Sequence, residues 1–573
     1  MKRNPRRLPC FLLSLAILGW IPATPVDAET ARAEKGMVAT VHPLATDAGV
    51  AVLEKGGNAV DAAIAAGLML GVVDNHNSGI GGGCFILIRR ADGKLFAIDG
   101  REMAPAAAHR DMYLEDGKPQ GQWSRVGALA SGVPGALAAY ERAVTDHGRT
   151  AWSELVTPAG RVAENGFVVD AVYARKLASV ARTLAQFEGS RAAFLDENGK
   201  PHAEGYVLRQ PDLAATYRQV AEGGSRAFYQ GPFAEACHAW MQENGGILTR
   251  QDLASYRPML REPIVSRYRG HTIVGFPSPS SGGIHVAQIL NMLESFDLAR
   301  IYQEDRARFT HVVAEAMKLA FADRAHWLGD ADFVPVPRGL VDRRYARLLS
   351  RQINPLEVTP LEGHHVPPHA QSNTFESALE KHTTHIAVAD REGNWVAMTQ
   401  TVNTTFGSKV VIPGTGVVMN NEMDDFSIAP GIPNAFGLLG GEANSIAPGK
   451  RPLSSMSPTI VLRRGEPVMT VGAAGGPKII TQALLAVICH IDLEMTLQEQ
   501  MAFARFHHQW RPDRLYVESS LPAAVLAELE SRGHTISKLR YVGVTQAIKR
   551  DPQTGEFQGA HDPRVPGKAA GPR

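Results

Sequence analysis

The chain has 573 residues, of which 44% are hydrophobic and 20% charged, and its formal net charge at pH 7 is +1. This composition is typical of a globular protein with a large apolar core. The two signs of charge nearly balance, and no long run of like charge occurs. The composition therefore gives no support to nucleic acid or to an anionic membrane surface as a partner.

The first 28 residues have the pattern of an export signal. Basic residues between Lys2 and Arg7 precede the apolar run CFLLSLAILGWI, and small residues follow at Val26 and Ala28. This order predicts a signal peptide cleaved after Ala28, and hence an exported protein that is periplasmic or secreted. A retained membrane anchor is the alternative, but the apolar run is short for crossing a bilayer.

The cysteines do not form a disulfide pattern. Cys10 lies in the predicted signal, whereas Cys84, Cys237 and Cys489 lie in apolar surroundings. Because three cysteines cannot all pair within one chain, we expect buried free thiols, with no disulfide framework and no catalytic cysteine.

The first part of the mature chain predicts two helices and a hairpin. Residues 46–73 read as two apolar helical segments that are separated at Gly56-Gly57. The glycine-rich turn HNSGIGGG follows, and residues 84–101 predict a hairpin around Asp92-Gly93.

The middle of the chain is predicted to be mostly helical. In residues 135–350 apolar residues recur at three- and four-residue spacing, and GFPSPSSGGIHVAQILNMLE predicts a turn that leads into a helix at Gly283. Residues 351–382 have the polar, proline-rich composition of a flexible linker. Three histidines of this linker suggest a metal site, but no cysteine or carboxylate spacing supports one, and no metal is predicted. They are His364, His365 and His369.

The last third of the chain is predicted to be rich in strands. Residues 383–390 and 395–403 alternate around a turn, and 458–464 and 468–476 form a second strand pair that leads into a helix over 477–493. Two layers of sheet covered by helices on both sides would bury these elements.

Thr383 begins the first of these strands. If the hairpin turns at Glu392-Gly393, Thr383 lies opposite Thr401 and Asn403, and the two-residue period puts Thr399 on the same face. The pattern is consistent with a site of hydroxyl and amide groups, and also with a threonine-rich exposed strand face.

Two further stretches carry candidate chemistry. Gly475 and Gly476 lie between a strand and a helix, where open N–H groups and the helix dipole suit an oxyanion hole. Close packing of strand and helix is the alternative, and the phosphate-loop pattern is not met. The segment NNEMDDFS brings Glu422, Asp424 and Asp425 together as a candidate site for a cation or an ammonium group, or as a solvated turn.

An ordered set of motifs resembles the γ-glutamyltranspeptidases. TTHIAVAD, NTTFGS, NNEMDDFS, KRPLSSMSPTIV, GGPKIIT and RFHHQW resemble their small subunit, and GGNAVDAA, HNSGIGGGCFILI, REMAP, SGVPGAL and PSSGGIHVAQILNMLE resemble their large subunit. The family belongs to the N-terminal-nucleophile hydrolases. The resemblance therefore implies an α+β, four-layer αββα sandwich made of two autoprocessed subunits. Cleavage between His382 and Thr383 would give a large subunit of 29–382 and a small subunit of 383–573, which form a heterodimer.

The resemblance also implies a role for each matching residue, and it implies neither a cofactor nor a metal. It makes Thr383 the nucleophile and Thr401 the hydroxyl that hydrogen-bonds it and assists processing. The implied oxyanion donors are Gly475 and Gly476; the implied ligands of the α-carboxylate of a γ-glutamyl group are Arg101, Ser454 and Ser455; and those of its α-ammonium are Asn403, Glu422 and Asp425.

Some positions depart from the family pattern. Ala473 and Ala474 stand where bulkier or polar residues are frequent, and Phe436 stands where a lid tyrosine is frequent. Glu422 replaces the glutamine of some bacterial members. His382 and His385 receive no role.

The function implied by the resemblance is transfer of the γ-glutamyl group of glutathione, or of a related compound, to water or to an amino-acid or peptide amine. The alternative enzyme is a glutaryl-cephalosporin acylase of the same superfamily branch, whose substrates lack the α-ammonium group. An exported, non-enzymatic binding protein is the alternative from another class.

Overall fold

Two seven-stranded β-sheets lie face to face at the centre of the molecule, and helices cover their outer faces. The computed structural model describes residues 30–368, 370, 383–428, 434–435, 437–438, 440–539 and 542–573. The strands of these residues are β1 (Thr30–Ala33), β2 (Gly36–Thr40), β3 (Gly83–Arg89), β4 (Leu95–Gly100), β5 (Leu114–Glu115), β6 (Lys118–Pro119), β7 (Phe167–Val168), β8 (Val207–Leu208), β9 (Met259–Arg261), β10 (Ile264–Tyr268), β11 (His271–Gly275), β12 (Thr384–Asp390), β13 (Trp395–Thr401), β14 (Thr459–Arg463), β15 (Glu466–Ala474), β16 (Phe506–His507), β17 (Leu515–Glu518), β18 (Ile536–Leu539), β19 (Val544–Arg550), β20 (Phe557–Ala560) and β21 (Lys568–Ala570).

The helices surround these sheets in two groups. They are α1 (Pro43–Glu54), α2 (Ala59–Val73), α3 (Ala136–His147), α4 (Trp152–Asn165), α5 (Ala171–Leu184), α6 (Glu188–Phe194), α7 (Pro211–Tyr229), α8 (Pro232–Glu243), α9 (Arg250–Ser255), α10 (Gly282–Leu293), α11 (Leu298–Glu304), α12 (Arg306–Trp327), α13 (Arg343–Ser350), α14 (Lys478–Ile491), α15 (Leu497–Ala502) and α16 (Ala523–Ser531).

Each large sheet combines strands from both ends of the chain. The first sheet has the order β21-β2-β12-β13-β3-β4-β9, and the second has the order β1-β20-β19-β15-β14-β11-β10. Neighbouring strands are antiparallel throughout both sheets. The strands that contain the candidate residues, β12, β13 and β15, are therefore interior strands held on both sides.

The two sheets pack through small and aromatic side chains. On β12, Ala387 and Ala389 face the second sheet, where Ala473 belongs to the same core. The alternate residues Ile386 and Val388 pack with α2 on the other side of the first sheet, as the two-residue period of a strand requires. Helices α10, α12 and α14 cover the outer face of the second sheet. The predicted four-layer αββα architecture is confirmed.

Most predicted elements are present at the predicted places. Helices α1 and α2, the β3–β4 hairpin, the start of α10, the β12–β13 and β14–β15 hairpins and α14 all match the sequence pattern. The hairpin of β10 and β11 lies inside the region that was predicted to be largely helical. Its residues IVSRY and HTIVG are short and flank Arg269-Gly270, so no helical or long alternating pattern marks them.

The described part of the predicted linker contacts residues that follow Thr383. Trp510 Nε1 donates to the Leu361 carbonyl oxygen at 3.1 Å, and the Val358 N–H donates to the Arg532 carbonyl oxygen at 2.9 Å. His369 and residues 371–382 lie outside the described residues, as do the predicted signal and Phe436.

Two further sequence predictions are addressed by the described residues. Cys84, Cys237 and Cys489 are buried and free, as predicted. In the described ranges no helix combines the length and the apolar character that crossing a membrane demands.

Candidate active site

Thr383 and Thr401 face each other at the start of β12 and the end of β13. The ladder pairs Thr384 with Gln400, so the next position brings Thr383 opposite Thr401. Their Oγ1 atoms are 3.3 Å apart, and both side chains are buried. Because the Asn403 N–H donates to Thr401 Oγ1 at 2.8 Å, the hydroxyl hydrogen of Thr401 points elsewhere. The predicted register of the hairpin is confirmed.

Thr399 lies two positions before Thr401 on β13, on the same face of the hairpin, and is paired with His385. His385 Nδ1 and Thr399 Oγ1 are 2.9 Å apart, and the ring of His385 is fully buried. Burial lowers the pKa of His385 to about 3, so the imidazole is neutral at physiological pH. Gly472 of β15 lies over this ring, because a Cβ atom there would come 2.3 Å from Nδ1. The strand of Thr383 and the strand that leads to Gly475 thus touch directly.

Gly475 and Gly476 connect β15 to α14 beside Thr383. Their φ angles are 132° and 63°, which L side chains rarely adopt. Thr383, Ala474, Gly475 and Lys478 line one cavity of about 360 Å³. The structure therefore brings Gly475 and Thr383 together, and Gly476 follows at the N-terminus of α14, where the helix dipole favours negative charge.

The same cavity has an ionisable wall that the sequence did not indicate. Asp74 and His76, from the turn after α2, and Lys176 of α5 also line it. Burial raises the pKa of Asp74 to about 8 and lowers the pKa of Lys176 to about 8. Asp74 Oδ1 lies 3.3 Å from His76 Nε2.

Arg101 is the centre of a buried ion-pair cluster. Its Nη1 donates to Glu422, its Nη2 donates to Asp425, and its Nε donates to the Pro452 carbonyl oxygen at 3.1 Å. Burial alone would lower the pKa of Arg101, but the carboxylates around it hold that pKa above its ordinary value. Arg101, Glu422 and Asp425, which lie far apart in the sequence, thus form one unit.

Glu102 belongs to this cluster as well. One of its carboxyl oxygens lies 3.6 Å from Arg101 Nη1. Burial, and then the nearby Glu422 carboxylate, raise the pKa of Glu102 well above its ordinary value. Sequence reasoning did not assign Glu102, although it directly follows Arg101 in the REMAP motif.

Asn403 connects the hydroxyl pair to the acidic segment. Its Nδ2 donates to the Asn421 carbonyl oxygen at 2.8 Å, next to Glu422. Its Oδ1 is buried and has no hydrogen-bond partner among the described residues. Asp424, the remaining acid of the segment, points away: it accepts hydrogen bonds from Ser124 at 2.6 Å and from Arg125 at 3.2 Å.

Ser454 and Ser455 lie at the end of the loop that begins at Pro452. The Ser454 N–H donates to the Pro279 carbonyl oxygen at 2.7 Å, and Ser454 Oγ accepts a hydrogen bond from the Met456 N–H at 3.2 Å. Ser455 Oγ accepts one from Arg324 of α12 at 3.1 Å. Sequence reasoning did not assign Arg324, because α12 is buried around nearly its whole circumference and has no polar face against which a functional charge would stand out.

The assembled residues offer two kinds of chemistry side by side. A paired hydroxyl beside glycine N–H groups suits attack on a carbonyl carbon. A buried cluster with a guanidinium, carboxylates and serine hydroxyls suits a small zwitterion. Within the described residues no group of three or more His, Cys, Asp or Glu side chains is placed to hold a metal ion.

Known proteins are similar to this chain in sequence and in fold. The sequence profile of the γ-glutamyltranspeptidase family matches residues 45–572. The chain is 44% identical to the glutathione hydrolase proenzyme of Escherichia coli K12 over 536 residues, which are 93% of this chain and 91% of that protein. It is 39% identical over 549 residues to the acylase ACY 1 proenzyme of Pseudomonas sp. SE83, with 93% of each chain covered. The crystal structure of a cephalosporin acylase from Bacillus halodurans superposes with a TM-score of 0.84 at 28% identity and covers 100% of both chains.

Proposed function

Since this chain belongs to the γ-glutamyltranspeptidase family of enzymes, we propose that it cleaves the γ-glutamyl amide bond of glutathione and related compounds through an acyl-enzyme on Thr383. The single observation that carries the proposal is the 3.3 Å contact between the Thr383 and Thr401 hydroxyls. Gly475 lines the same cavity as Thr383, and the same fold contains the ion-pair cluster around Arg101.

The nucleophile is made by cleavage of the chain itself. Thr383 Oγ1 attacks the carbonyl carbon of His382, the acyl group moves from nitrogen to oxygen, and water hydrolyses the ester. The products are a carboxylate on His382 and a free α-amine on Thr383. A threonine hydroxyl alone is a weak nucleophile. In the processed enzyme the α-amine of Thr383, with an ordinary pKa near 8, serves as the base for attack on the substrate, and this amine does not exist before cleavage. Activity therefore depends on processing.

Turnover follows the same route with the substrate amide. The α-amine takes the proton of Thr383 Oγ1 as the oxygen attacks the γ-carbonyl carbon. The tetrahedral oxyanion accepts hydrogen bonds from the N–H groups of Gly475 and Gly476. Its collapse breaks the C–N bond and transfers the proton to the leaving amine. Water or an acceptor amine then attacks the ester and releases Thr383.

The glutamyl head is recognised as a zwitterion. Arg101, Ser454 and Ser455 bind the α-carboxylate, and Asn403, Glu422 and Asp425 bind the α-ammonium. The acceptor-only Asn403 Oδ1 atom, buried and without a partner among the described residues, suits an ammonium donor.

A glutaryl acylase is the second candidate, because the acylase ACY 1 proenzyme and the cephalosporin acylase are similar to this chain. A glutaryl group lacks the α-ammonium, so it would form no ion pair of its own with the carboxylates of Glu422 and Asp425, which already pair with Arg101. Release of aniline from γ-glutamyl and glutaryl anilides distinguishes the two candidates. The γ-glutamyl compound should be the better substrate by kcat/KM.

The mechanism is tested by replacing the nucleophile. Thr383→Ala should give one uncut band on a denaturing gel and no turnover, whereas Thr383→Ser should be cut and partly active. N-terminal sequencing of the smaller wild-type band should begin at Thr383. A Thr383→Ala protein that yields both bands and full activity would refute the mechanism.

A further inference from the structure

A second buried arginine lies behind the proposed carboxylate-binding serines. Arg324, at the C-terminal end of α12, is 3% exposed. Its Nη2 donates to Ser455 Oγ at 3.1 Å, and its Nε donates to Ser281 Oγ at 2.9 Å. Arg324 and Asp425 also line the same small cavity of about 10 Å³. Arg324 is therefore adjacent to the cluster around Arg101.

The hydrogen-bond directions around Arg324 are fixed by its chemistry. A guanidinium can only donate, so both serine hydroxyls must accept from it and direct their own hydrogen elsewhere. Ser281 Oγ gives its hydrogen to the Ser454 carbonyl oxygen at 2.8 Å. The Ser455 hydroxyl accepts from Arg324, but among the described residues its own hydrogen has no acceptor. The neighbouring Ser454 Oγ accepts from the Met456 N–H and is also left with a hydrogen to donate.

The described residues compensate the charge of Arg324 poorly. Arg101 has ion pairs with three carboxylates, whereas Arg324 has no ion pair with a carboxylate in the described part of the chain. Burial lowers the pKa of Arg324 to about 10, and Asp425 opposes this shift from a distance. An anion bound next to Ser455 would supply the missing negative charge.

We propose that Arg324 is a positioning residue that holds Ser455 as a hydrogen-bond donor to the substrate α-carboxylate and makes the enzyme selective for acyl groups that have this carboxylate. The proposal rests on the proposed function and deepens it. Two arginines then contribute to selectivity for the carboxylate, and each contacts one end of the 452–455 loop. Arg101 donates to the Pro452 carbonyl oxygen, and Arg324 donates to Ser455 Oγ.

The test uses Arg324→Gln and three anilides that differ only in the acyl group. The γ-glutamyl anilide has both charged groups, the glutaryl anilide has only the carboxylate, and the 4-aminobutanoyl anilide has only the ammonium. We expect kcat/KM for the first two to fall about 10- to 100-fold, mainly through KM, as for the loss of one charge-assisted hydrogen bond. The third should change less than about threefold. If its turnover is too slow, its inhibition constant is measured instead.

A double-mutant cycle tests whether Arg324 acts through Ser455. Arg324→Gln combined with Ser455→Ala should lose no more than the more damaging single substitution, because the first misplaces and the second removes the same hydroxyl donor. Fully additive losses would show that Arg324 does not act through this hydroxyl. Arg532→Gln is the control, since Arg532 is also a buried arginine, but it donates to Asp305, to Glu528 and to the Pro355 carbonyl oxygen instead of to the serines of the site. It should affect the three substrates equally.

The possible failures are separable. If the wild-type protein does not cleave the γ-glutamyl anilide, the proposed function is wrong. If it does, but Arg324→Gln lowers all three substrates equally, only the role of Arg324 is wrong. Appearance of the two processed bands verifies folding. If Arg324→Gln is not processed, Arg324→Lys replaces it, because lysine keeps the charge but lacks the planar fork that reaches both hydroxyls. Equal losses on the three substrates again reject the role.

Discussion

At the scale of single residues, the site depends on buried charges that compensate one another. Arg101, Glu422 and Asp425 are each at most 3% exposed, and removal of one partner from such a group leaves a charge uncompensated. Each of these side chains therefore has a structural contribution as well as a proposed binding role. Substrate comparisons separate the two contributions, because a purely structural loss affects all substrates alike.

Asp425→Asn should change substrate preference as well as activity. The substitution keeps the shape of the side chain but removes a negative charge that we assign to the α-ammonium. We expect kcat/KM for the γ-glutamyl anilide to fall about 10- to 100-fold, the scale of a charge-assisted hydrogen bond, and the glutaryl anilide to lose less. Steady-state kinetics with the two anilides measures the ratio.

Asp424→Asn is the control for this comparison. Asp424 is an equally buried neighbour, but its carboxylate faces Ser124, Arg125 and the Ala435 N–H instead of Arg101. Its replacement should leave the ratio of the two substrates unchanged. An unchanged ratio in Asp425→Asn as well would argue against ammonium recognition by Asp425.

The residues of the site differ in how far the sequence could predict them. Thr401 was placed opposite Thr383 by the two-residue period of a hairpin, which is a local pattern. Arg324 was not found, because its neighbour Ser455 is 131 residues away and no local pattern connects them. The pairing of Arg101 with Glu422 spans 321 residues and likewise depends on the folded structure.

At the scale of elements, strands β12 and β15 hold the two halves of the proposed reaction centre. Thr383 precedes β12, and Gly475 follows β15, so the distance between the sheets sets the distance between nucleophile and oxyanion donors. His385 and Gly472 are in contact where the two strands approach this end. The buried imidazole, which received no role from the sequence, acts as a spacer between the sheets.

Gly472→Ala should therefore damage catalysis more than the size of the change suggests. The added Cβ would lie 2.3 Å from His385 Nδ1, and overpacking of this kind costs about 1–3 kcal/mol. A shift of about 1 Å between reacting groups can lower a rate on the order of 100-fold. We expect a lower melting temperature, slower processing and at least a 10-fold lower kcat.

Gly363→Ala is the control for this substitution, because a Cβ at Gly363 meets no atom within 4 Å. It should leave the melting temperature and kcat unchanged. If Gly472→Ala lowers the melting temperature but leaves kcat and the processing rate intact, the spacing of the sheets does not govern the reaction centre.

The elements themselves were predicted where the signal is local. The β12–β13 hairpin and α14 follow from alternation, a glycine turn and a long apolar run. The sequence does not predict the β10–β11 hairpin, because IVSRY and HTIVG are short, mix polar with apolar residues, and lie in a region where apolar residues recur at helical spacing. Which sheet each hairpin joins is a matter of long-range pairing, and no periodicity encodes it.

At the scale of the whole molecule, the proposed cut at residue 382 passes through shared sheets. In the first sheet β12 pairs with β2, β13 pairs with β3, and β2 pairs with β21. In the second sheet β1 pairs with β20, and β11 pairs with β14. Each of these ladders joins a strand before the cut to a strand after it. The proposed large and small subunits therefore do not have separate cores.

This interleaving predicts that cleavage does not release the subunits. Separation would break five antiparallel ladders and expose the core between the sheets, which is the dominant source of stability in a fold of this kind. In native buffer the processed protein should elute from a sizing column as one species at the position of uncut Thr383→Ala. In strong denaturant the processed protein should resolve into two components, whereas Thr383→Ala should remain one. Two separate species in native buffer would show that the ladders across residue 382 do not hold the cleaved chains together.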